Sequence, residues 1–375
     1  MKSILLFIFL GYLVLCPFYV FTNGQPQPAD IILALGFLLF LWKADIKLLL
    51  INKPIKILGV LVALIALVAI GNQIYLSISR IQGNTIYPVL FYIFNFLAFS
   101  FVLYLSNTIG KQKLFNYSSI ALIITITIQF LLAVFEVQNT TSTWVQSGNR
   151  FVLFFNNPNQ LGYFCLLILS LFVIIPSTIK RNKFVLVAMT VMAFYIALVS
   201  QSRIAVIGIL YLIVFIVLTE FRPYTKKSIL TMVFILGSSL LLLNTIFIKD
   251  RLTSIKTRSV KRSTTIKNEM STRGFDRIYK HPVYLLIGAG EGADQQFSDT
   301  NKELHSGFGT MLFSYGVLGF TLFFILLFQV LKYNLIYNGL LLLPVFLYNL
   351  VHHGLRNTLF WFLLGFVLVI TEKKN

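Results

Sequence analysis

The sequence predicts an all-α polytopic membrane protein with about twelve transmembrane helices and one large external loop. Composition is the first reason, because 57% of the 375 residues are hydrophobic and only 11% are charged, too few to cover a soluble domain. The second reason is that charge-poor runs of about 17 to 25 residues, long enough to cross a bilayer, recur along the chain. The third is that basic residues concentrate in alternate connections between these runs. We interpret residues 1–375 as a single transmembrane domain.

The charge-poor runs define the candidate spans in order. The first run follows Lys2 and has no small-residue cleavage site after it, so we interpret it as a span and not as a signal peptide. Lys43, Asp45 and Lys47 interrupt the second run, which favours a short span that continues as an interfacial helix. The twelve predicted spans lie near residues 3–22, 30–50, 56–79, 86–106, 117–137, 160–179, 184–200, 203–221, 228–248, 307–330, 335–351 and 355–371.

The distribution of basic residues predicts the orientation. If the N-terminus is cytoplasmic, the inner segments hold sixteen Lys or Arg, and the short outer loops hold only Arg80, Arg150, Arg203 and Arg356. Positive charge in short loops favours the cytoplasmic side, so we expect both termini to be cytoplasmic. The net charge of +19 then reflects membrane topology and not nucleic-acid binding. Residues 249–306 form the long external loop between spans 9 and 10.

This external loop divides by charge into two halves. Residues 249–280 carry ten basic and three acidic side chains, whereas residues 281–306 carry one basic and four acidic side chains. The basic half fits an amphipathic helix on anionic headgroups, and it also fits a cradle for the phosphate of a lipid-linked substrate. Arginine is the better residue for such a cradle, since its guanidinium group can bind phosphate through two hydrogen bonds.

Three local motifs of the loop bear on these two interpretations. Arg273 and Arg277 are four residues apart, so on a helix they would present two guanidinium groups on one face. Pro282 would end that helix before His281. The sequence GAGEG at 288–292 fits an ordinary flexible turn, or a turn that aims N–H groups at an anion.

Polar residues at the outer ends of other spans are further candidates. Arg203, in SQSRIAVIGIL, begins the eighth span and would either face a water-filled cavity or reach up to the headgroups. Arg150 precedes FFNNPNQLG, whose asparagines and proline can cap and begin the sixth span for structural reasons alone. Asn159 of that motif then faces the same outer side. The two cysteines fall in apolar runs and support neither a disulfide nor a metal site.

The stretch ELHSGFGTMLFSYGVLGF places Glu303 and His305 at the start of the tenth span. An imidazole can accept a proton from a hydroxyl near neutral pH, and a nearby carboxylate can set its tautomer. The alternative is that both residues only cap the span. We interpret His352, His353 and Arg356, in another outer loop, as interfacial residues.

Three motifs together resemble the bacterial O-antigen polymerase and O-antigen ligase family of membrane glycosyltransferases. They are SQSR at 200–203, the arginine-containing segment that runs into HPVYLLIGAGEG, and ELHSGFGTMLFSYGVLGF. The resemblance covers mainly residues 150–330. It implies a GT-C-type fold and a reaction on undecaprenyl-diphosphate-linked oligosaccharide at the periplasmic face of the bacterial cytoplasmic (inner) membrane.

The resemblance also implies roles for individual residues. The resemblance places an essential arginine at Arg203 and the general base at His305. It places an essential loop arginine at either Arg273 or Arg277. His305-Ser306 stands where the family usually has His-Asn. Ten residues separate Arg277 from Gly288, resembling the Arg-x10-Gly pattern of polymerases, whereas Arg150 departs from that pattern by one residue. The catalytic candidates are His305, Arg203, Arg277 and Arg273, and the candidates for substrate binding are Arg150, Asn159, Glu291 and Glu303.

The implied reaction is transfer of a glycan from its lipid diphosphate to an acceptor sugar hydroxyl that His305 deprotonates. Arginines would stabilise the departing diphosphate, so we expect neither a metal nor another cofactor. We favour a polymerase over a ligase that transfers the glycan to lipid A-core, because of the Arg-x10-Gly match and the LFSYGVLGF block. The expected partners are the lipid-linked oligosaccharide, membrane lipid and a chain-length regulator protein.

A transporter or flippase for lipid-linked oligosaccharide is the alternative from another class. Twelve spans with cytoplasmic termini are a common transporter layout, but transporters usually carry ionisable residues near the bilayer midplane. Here the middle of each span is nearly free of charge, and the best exception, Glu136, lies late in the fifth span. An arginine-rich external loop favours chemistry at the outer surface.

Overall fold

A computed structural model describes residues 2–21, 24–43, 52–138, 150–176, 178–179, 182–220, 273–297 and 303–371. These residues are helical or irregular and contain no strand, which confirms the all-α class. Two 3₁₀ turns occur, at Asp294–Phe297 and Lys332–Asn334. In chain order the α-helices are α1 (Lys2–Leu15), α2 (Pro28–Lys43), α3 (Lys53–Ile78), α4 (Ile86–Ile109), α5 (Lys111–Val134), α6 (Pro158–Ile174), α7 (Lys183–Ser200), α8 (Arg203–Glu220), α9 (Asp276–Lys280), α10 (Tyr284–Ile287), α11 (Gly307–Leu331), α12 (Leu335–Val351) and α13 (Thr358–Thr371).

Helices occupy eleven of the twelve predicted span positions, and the ninth, near 228–248, lies outside the described residues. Six segments of the described chain are long and apolar enough to cross a membrane, and the last of them, Gly307–Val351, contains both α11 and α12. The protein is therefore a helical membrane protein. The count of twelve crossings stays a prediction. The single domain and the external loop at 249–306 also stay predictions, since much of that loop lies outside the described residues.

Local chemistry sets several helix ends. The side chain of Asn157 caps α6 by accepting a hydrogen bond from the backbone N–H of Gln160 at 3.0 Å, and Pro158 occupies the first helical position, as the motif predicts. Helix α1 ends at Leu15, well before residue 22, because Pro17 disfavours the helical conformation at the residue before it. The first predicted span is therefore longer than the helix found there.

Helices α7 and α8 form a tight antiparallel hairpin. Gln201 adopts a left-handed conformation with φ of 53° directly after α7, and α8 begins two residues later, where the eighth predicted span begins. At the far ends of the two helices, the ammonium group of Lys183 lies 3.2 Å from the carboxylate of Glu220. The turn at Gln201 and the Lys183–Glu220 ion pair thus lie at opposite ends of this hairpin.

Two short helices, α6 and α13, form the centre of the bundle. Almost every residue of both is buried, because α6 packs against α7, α8, α12 and α13, while α13 packs against α4, α6 and α11. Outer helices instead expose apolar side chains, as Val60, Leu67 and Ile74 do along one face of α3. An apolar face that is exposed in this way fits contact with lipid.

Helix α11 is interrupted at Gly316, whose φ of 69° is non-helical. The loop segment 288–292 packs into this interruption: the N–H of Ala289 donates to the carbonyl of Phe313 at 3.0 Å, and the N–H of Gly290 donates to the carbonyl of Ser314 at 2.9 Å. These two N–H groups of GAGEG therefore bind a helix and not an anion. The segment carries Glu291 into the end of the bundle.

The prediction that Arg273 and Arg277 share one helical face is wrong. Helix α9 begins only at Asp276, so Arg273 lies in the turn before it. The helix does end before His281, as Pro282 predicts. The guanidinium group of Arg273 donates to the carbonyl of Val351 at 3.0 Å, whereas that of Arg277 binds the carboxylate of Asp294.

Candidate active site at one end of the bundle

The predicted site residues collect at one end of the helical bundle. Tyr348, near the end of α12, donates its hydroxyl to the carbonyl of Asn159 at 2.9 Å, and its ring lies 4.8 Å from that of His352. The N–H of Gly307, at the start of α11, donates to the carbonyl of His352 at 3.1 Å. The beginnings of α6 and α11 therefore meet the end of α12.

Arg150 joins this end of the bundle to the hairpin of α7 and α8. Its Nε donates to the carbonyl of Ser200 at 3.1 Å, and its Nη2 donates to Oδ1 of Asn159 at 3.1 Å and to the carbonyl of Gln201 at 3.5 Å. Two predicted substrate-binding residues, Arg150 and Asn159, are thus in direct contact. Arg203 begins α8 immediately after the turn that Arg150 holds.

A second group, the Glu291 cluster, consists of Glu291, Tyr92, Tyr315, His353 and Arg356. The hydroxyls of the two tyrosines donate to Oε2 of Glu291 at 2.9 and 2.7 Å. The other oxygen, Oε1, lies 3.0 Å from Nε2 of His353 and accepts a hydrogen bond of 2.6 Å from Nε of Arg356. Both oxygens of this buried carboxylate are therefore used by internal partners, and direct contact of Glu291 with substrate stays a prediction.

The charges of the Glu291 cluster stabilise one another. Burial alone would raise the pKa of Glu291, but the positive charges of Arg356 and His353, together with the hydrogen bonds, outweigh burial and hold that pKa well below its ordinary value. Burial would likewise lower the pKa of Arg356, yet the nearby carboxylates of Glu291 and Glu303 raise it. The cluster is therefore a buried ion pair that stays ionised near neutral pH.

Glu303 binds Arg356 at the outer edge of this cluster. Its carboxylate oxygens lie 3.2 and 3.4 Å from Nη1 of Arg356, and the Glu303 side chain is 52% exposed. The sequence instead predicts that Glu303 sets the tautomer of His305. In the structure the carboxylate of Glu303 ties the segment before α11 to the connection between α12 and α13.

His305 is exposed and lies two residues before the start of α11. Its backbone N–H donates to the carbonyl of Arg273 at 3.0 Å, so these two catalytic candidates are adjacent. Neither Glu303 nor His305 supplies the helix cap, because the hydroxyl of Ser306 accepts a hydrogen bond from the N–H of Gly309 at 2.9 Å. The capping alternative for Glu303 and His305 is therefore wrong.

Arg277 is buried, and its charge is already paired. Its Nη1 lies 2.5 Å from Oδ1 of Asp294, and its guanidinium carbon lies 5.4 Å from the centre of the Phe297 ring. Burial raises the pKa of Asp294, although Arg277 acts in the opposite direction. Because its side chain is only 7% exposed, Arg277 presents little surface to a ligand.

Arg277 with Asp294, Glu303 and three members of the Glu291 cluster line one pocket. Its charged and titratable walls contain two guanidinium groups, three carboxylates and one imidazole, from Arg277, Arg356, Glu291, Asp294, Glu303 and His353. Three of the predicted site residues, Arg277, Glu291 and Glu303, are therefore brought together there.

Sequence reasoning missed two central residues. The interpretation of His353 and Arg356 as interfacial is wrong, since both bind Glu291 inside the bundle. The available signal was that Arg356 is one of only four basic residues in the predicted short outer loops. Tyr92 and Tyr315 gave no comparable signal, because the chain contains 17 tyrosines.

The fold and the pocket define a helical membrane protein with a charge-paired polar site at one end of its bundle. Residues 187–324, from α7 to the middle of α11, match the family described as O-Antigen ligase. This match confirms the resemblance to the O-antigen polymerase and ligase family, a family of the bacterial inner membrane. It indicates ligase or polymerase activity without distinguishing the two. A comparison with curated proteins found no match.

Proposed function

We propose that the protein is a glycosyltransferase that polymerises undecaprenyl-diphosphate-linked oligosaccharide repeat units, for O-antigen or a related surface polysaccharide, at the periplasmic face. One observation carries this proposal: Arg203, Arg273 and His305 belong to segments that meet at the same end of the bundle, and all three lie within residues 187–324. Arg203 begins the apolar helix α8 and His305 lies just before the apolar helix α11, so a diphosphate beside a polyprenyl tail would find cations next to apolar surface.

In the proposed reaction, the imidazole of His305 accepts the proton of an acceptor sugar hydroxyl. The hydroxyl oxygen attacks the anomeric carbon of the donor glycan and forms the new glycosidic bond. The bond between that carbon and the diphosphate breaks, and its electron pair leaves with undecaprenyl diphosphate. His305 is suited to this step because its side chain is exposed just before the start of α11.

The arginines would stabilise the charge that develops on the diphosphate. Arg203 and Arg273 are the proposed direct contacts, and Arg150 positions the turn before Arg203 through its bonds to Ser200 and Gln201. We propose that Arg277 acts by positioning, because it is buried against Asp294. Guanidinium groups then supply the positive charge that a divalent cation supplies in other transferases.

The partners of this reaction are also part of the proposal. The donor and the acceptor are lipid-linked oligosaccharides that arrive laterally through the membrane lipid. A chain-length regulator protein would contact the same periplasmic face, and nucleic acid has no role.

The direct test replaces His305 and Arg203 separately with alanine in the cell. Removing a transition-state donor typically costs about 2.7 to 4 kcal/mol, so R203A should reduce polymer formation by roughly 10² to 10³-fold. Loss of the base in H305A should reduce it by about 10² to 10⁴-fold. The matched control is R80A, since Arg80 is an exposed arginine after α3. Normal glycan chain lengths with H305A or R203A would remove that residue from the mechanism.

A gene deletion distinguishes polymerase from ligase, the alternative that the family match supports equally. A polymerase deletion should leave surface glycan with a single repeat unit. A ligase deletion should instead leave full-length polymer on the undecaprenyl carrier, and that result would contradict the polymerase assignment while leaving glycosyl transfer intact.

A further inference from the structure

The guanidinium group of Arg356 has two hydrogen-bonding edges, and each edge binds a different carboxylate. Its inner edge binds the buried carboxylate of Glu291, through Nε at 2.6 Å and Nη2 at 2.5 Å. Since Glu291 is only 5% exposed and is also bound by two tyrosine hydroxyls, this edge is fixed. The guanidinium plane is therefore oriented before any ligand arrives.

Within the part of the chain that the structure describes, the outer edge of Arg356 forms its hydrogen bonds with the exposed carboxylate of Glu303 alone. The Glu303 side chain is 52% exposed, and its oxygens lie 3.2 to 3.4 Å from Nη1 and Nη2. Solvent-exposed ion pairs of this kind contribute little to stability. An anion that binds a guanidinium group through two hydrogen bonds can therefore displace this carboxylate.

We propose that Arg356 is a diphosphate-binding residue whose outer edge Glu303 occupies until the diphosphate of the lipid-linked substrate displaces it. The diphosphate would replace one weakly held carboxylate and meet a guanidinium group already oriented by Glu291. The identity of this ligand rests on the proposed function, whereas the exchange of anions on Arg356 does not.

The charges of the pocket explain why an exchange is needed. The two guanidinium groups, of Arg277 and Arg356, face the three carboxylates of Glu291, Asp294 and Glu303, so these five charged groups carry a net charge of −1. Arg277 with Asp294, and Arg356 with Glu291, form neutral pairs. Glu303 is the excess negative charge, and moving it into solvent removes the repulsion that an incoming anion would meet.

The surroundings of Arg356 favour a lipid diphosphate over free phosphate. Its guanidinium carbon lies 5.8 Å from the centre of the Phe91 ring at the start of α4. Leu90 and Ile93, on either side of Phe91 in sequence, are 56% and 41% exposed. An apolar chain attached to the diphosphate could lie along this part of α4.

The test measures binding to the full-length protein in a neutral detergent, with inorganic pyrophosphate and a short-chain prenyl diphosphate as probes, by titration calorimetry. Removing the competing carboxylate in E303Q should tighten binding of both probes by about two- to fivefold. The prenyl diphosphate should bind more tightly than pyrophosphate. R356K, which keeps a positive charge beside Glu291 but loses the two-bond geometry, should weaken binding by at least about tenfold.

D294N is the matched control, because it removes one negative charge from the same pocket beside a different, buried arginine. Unchanged or weaker binding in E303Q would overturn the proposal, and so would an equal gain in D294N, which would show that only net charge matters. Equal affinity for both probes would overturn the lipid assignment. None of these measurements requires glycosyl transfer, so failure of the proposed enzymatic function would be seen separately.

Discussion

Glu291 shows how one buried carboxylate can organise a membrane protein. Its partners come from α4, α11 and the connection between α12 and α13, and Tyr92 and Arg356 are separated from it by 199 and 65 positions in the chain. A buried charge is tolerated only when its hydrogen-bonding capacity is filled, and here both oxygens have two partners each. The cluster therefore links segments within the family-matched region to segments outside it.

We predict that E291Q is strongly destabilising. The substitution leaves the inner edge of Arg356 without its charge partner, and removing one partner of a buried ion pair costs about 3 to 5 kcal/mol. E303Q is the matched control, because Glu303 is half exposed and its ion pair should contribute less than about 1 kcal/mol. Thermal unfolding in detergent measures both, and equal loss of stability in the two variants would contradict the assignment of Glu291 as the buried partner.

The pH dependence of stability should differ between Glu291 and Asp294. Glu291 has a lowered pKa in the folded protein, so its contribution is fully present above the unfolded pKa of about 4.3 and is lost progressively as the pH falls from there through the folded pKa. Asp294 has a raised pKa, so its contribution is present below about 3.9 and is lost as the pH rises through the folded value. The loss of stability in E291Q, relative to wild type, should thus stay constant from about pH 5 to 8. The stability of D294N, in contrast, should increase relative to that of wild type as the pH rises from about 4. Parallel pH profiles for the two variants would refute this difference.

Helix α11 connects the sequence motif of the family to the geometry of the pocket. Its interruption at Gly316 leaves room for the loop segment 288–292 to donate hydrogen bonds to the carbonyls of Phe313 and Ser314. Tyr315, between those residues and the glycine, then reaches the carboxylate of Glu291. The interruption thus positions both the loop and the cluster that the loop carries.

We predict that G316A disrupts this arrangement. Alanine at a φ of 69° is strained by about 1 to 3 kcal/mol, and its Cβ would clash with the backbone carbonyl oxygen of Leu286. G339A in α12 is the control, because its Cβ would meet nothing within 4 Å and alanine favours a helix by roughly 0.5 to 1 kcal/mol. Thermal unfolding and polymer formation should both fall in G316A only. Wild-type stability in G316A would show that the helix can close without the interruption.

The two ends of the whole bundle carry different basic residues, with paired lysines at one end and the arginines of the site at the other. At the end opposite the site, the ammonium of Lys111 binds the carbonyl of Val369 at 2.6 Å, and Lys183 pairs with Glu220. These lysines belong to the segments predicted to be cytoplasmic, and the site end carries the arginines predicted to be external. The predicted orientation thus assigns the two ends of the bundle to opposite sides of the membrane.

We predict that the two ends of α11 react with labels from opposite sides of the membrane. Single cysteines at Glu303 and Lys332, in a background without Cys16 and Cys165, would flank this helix of 25 residues, and both positions are exposed. In intact cells, a membrane-impermeant maleimide should label E303C, and it should label K332C only after lysis. Labelling of K332C in intact cells would contradict the orientation with cytoplasmic termini.

Local physics explains what the sequence alone could predict. Uninterrupted apolar runs must form helices to satisfy their backbone groups in lipid, and the cap of α6 and the turn between α7 and α8 depend on neighbouring residues only. The motifs around Arg203 and His305 could show the resemblance to the family from sequence alone, because each motif is contiguous. The orientation, which stays a prediction, rests on counting charges in short loops.

The pairing of charges could not be predicted from the sequence, because it depends on which distant segments of the chain meet. Arg356 and Glu303 look alike as isolated charges beside apolar runs, yet Arg356 belongs to a buried cluster, whereas Glu303 is its exposed ion-pair partner. Arg273 and Arg277 have helical spacing, but a buried carboxylate on Asp294 and a carbonyl on Val351 hold them apart. Burial determines the strength of each charge pair, and burial exists only after the helices and the loop have packed together.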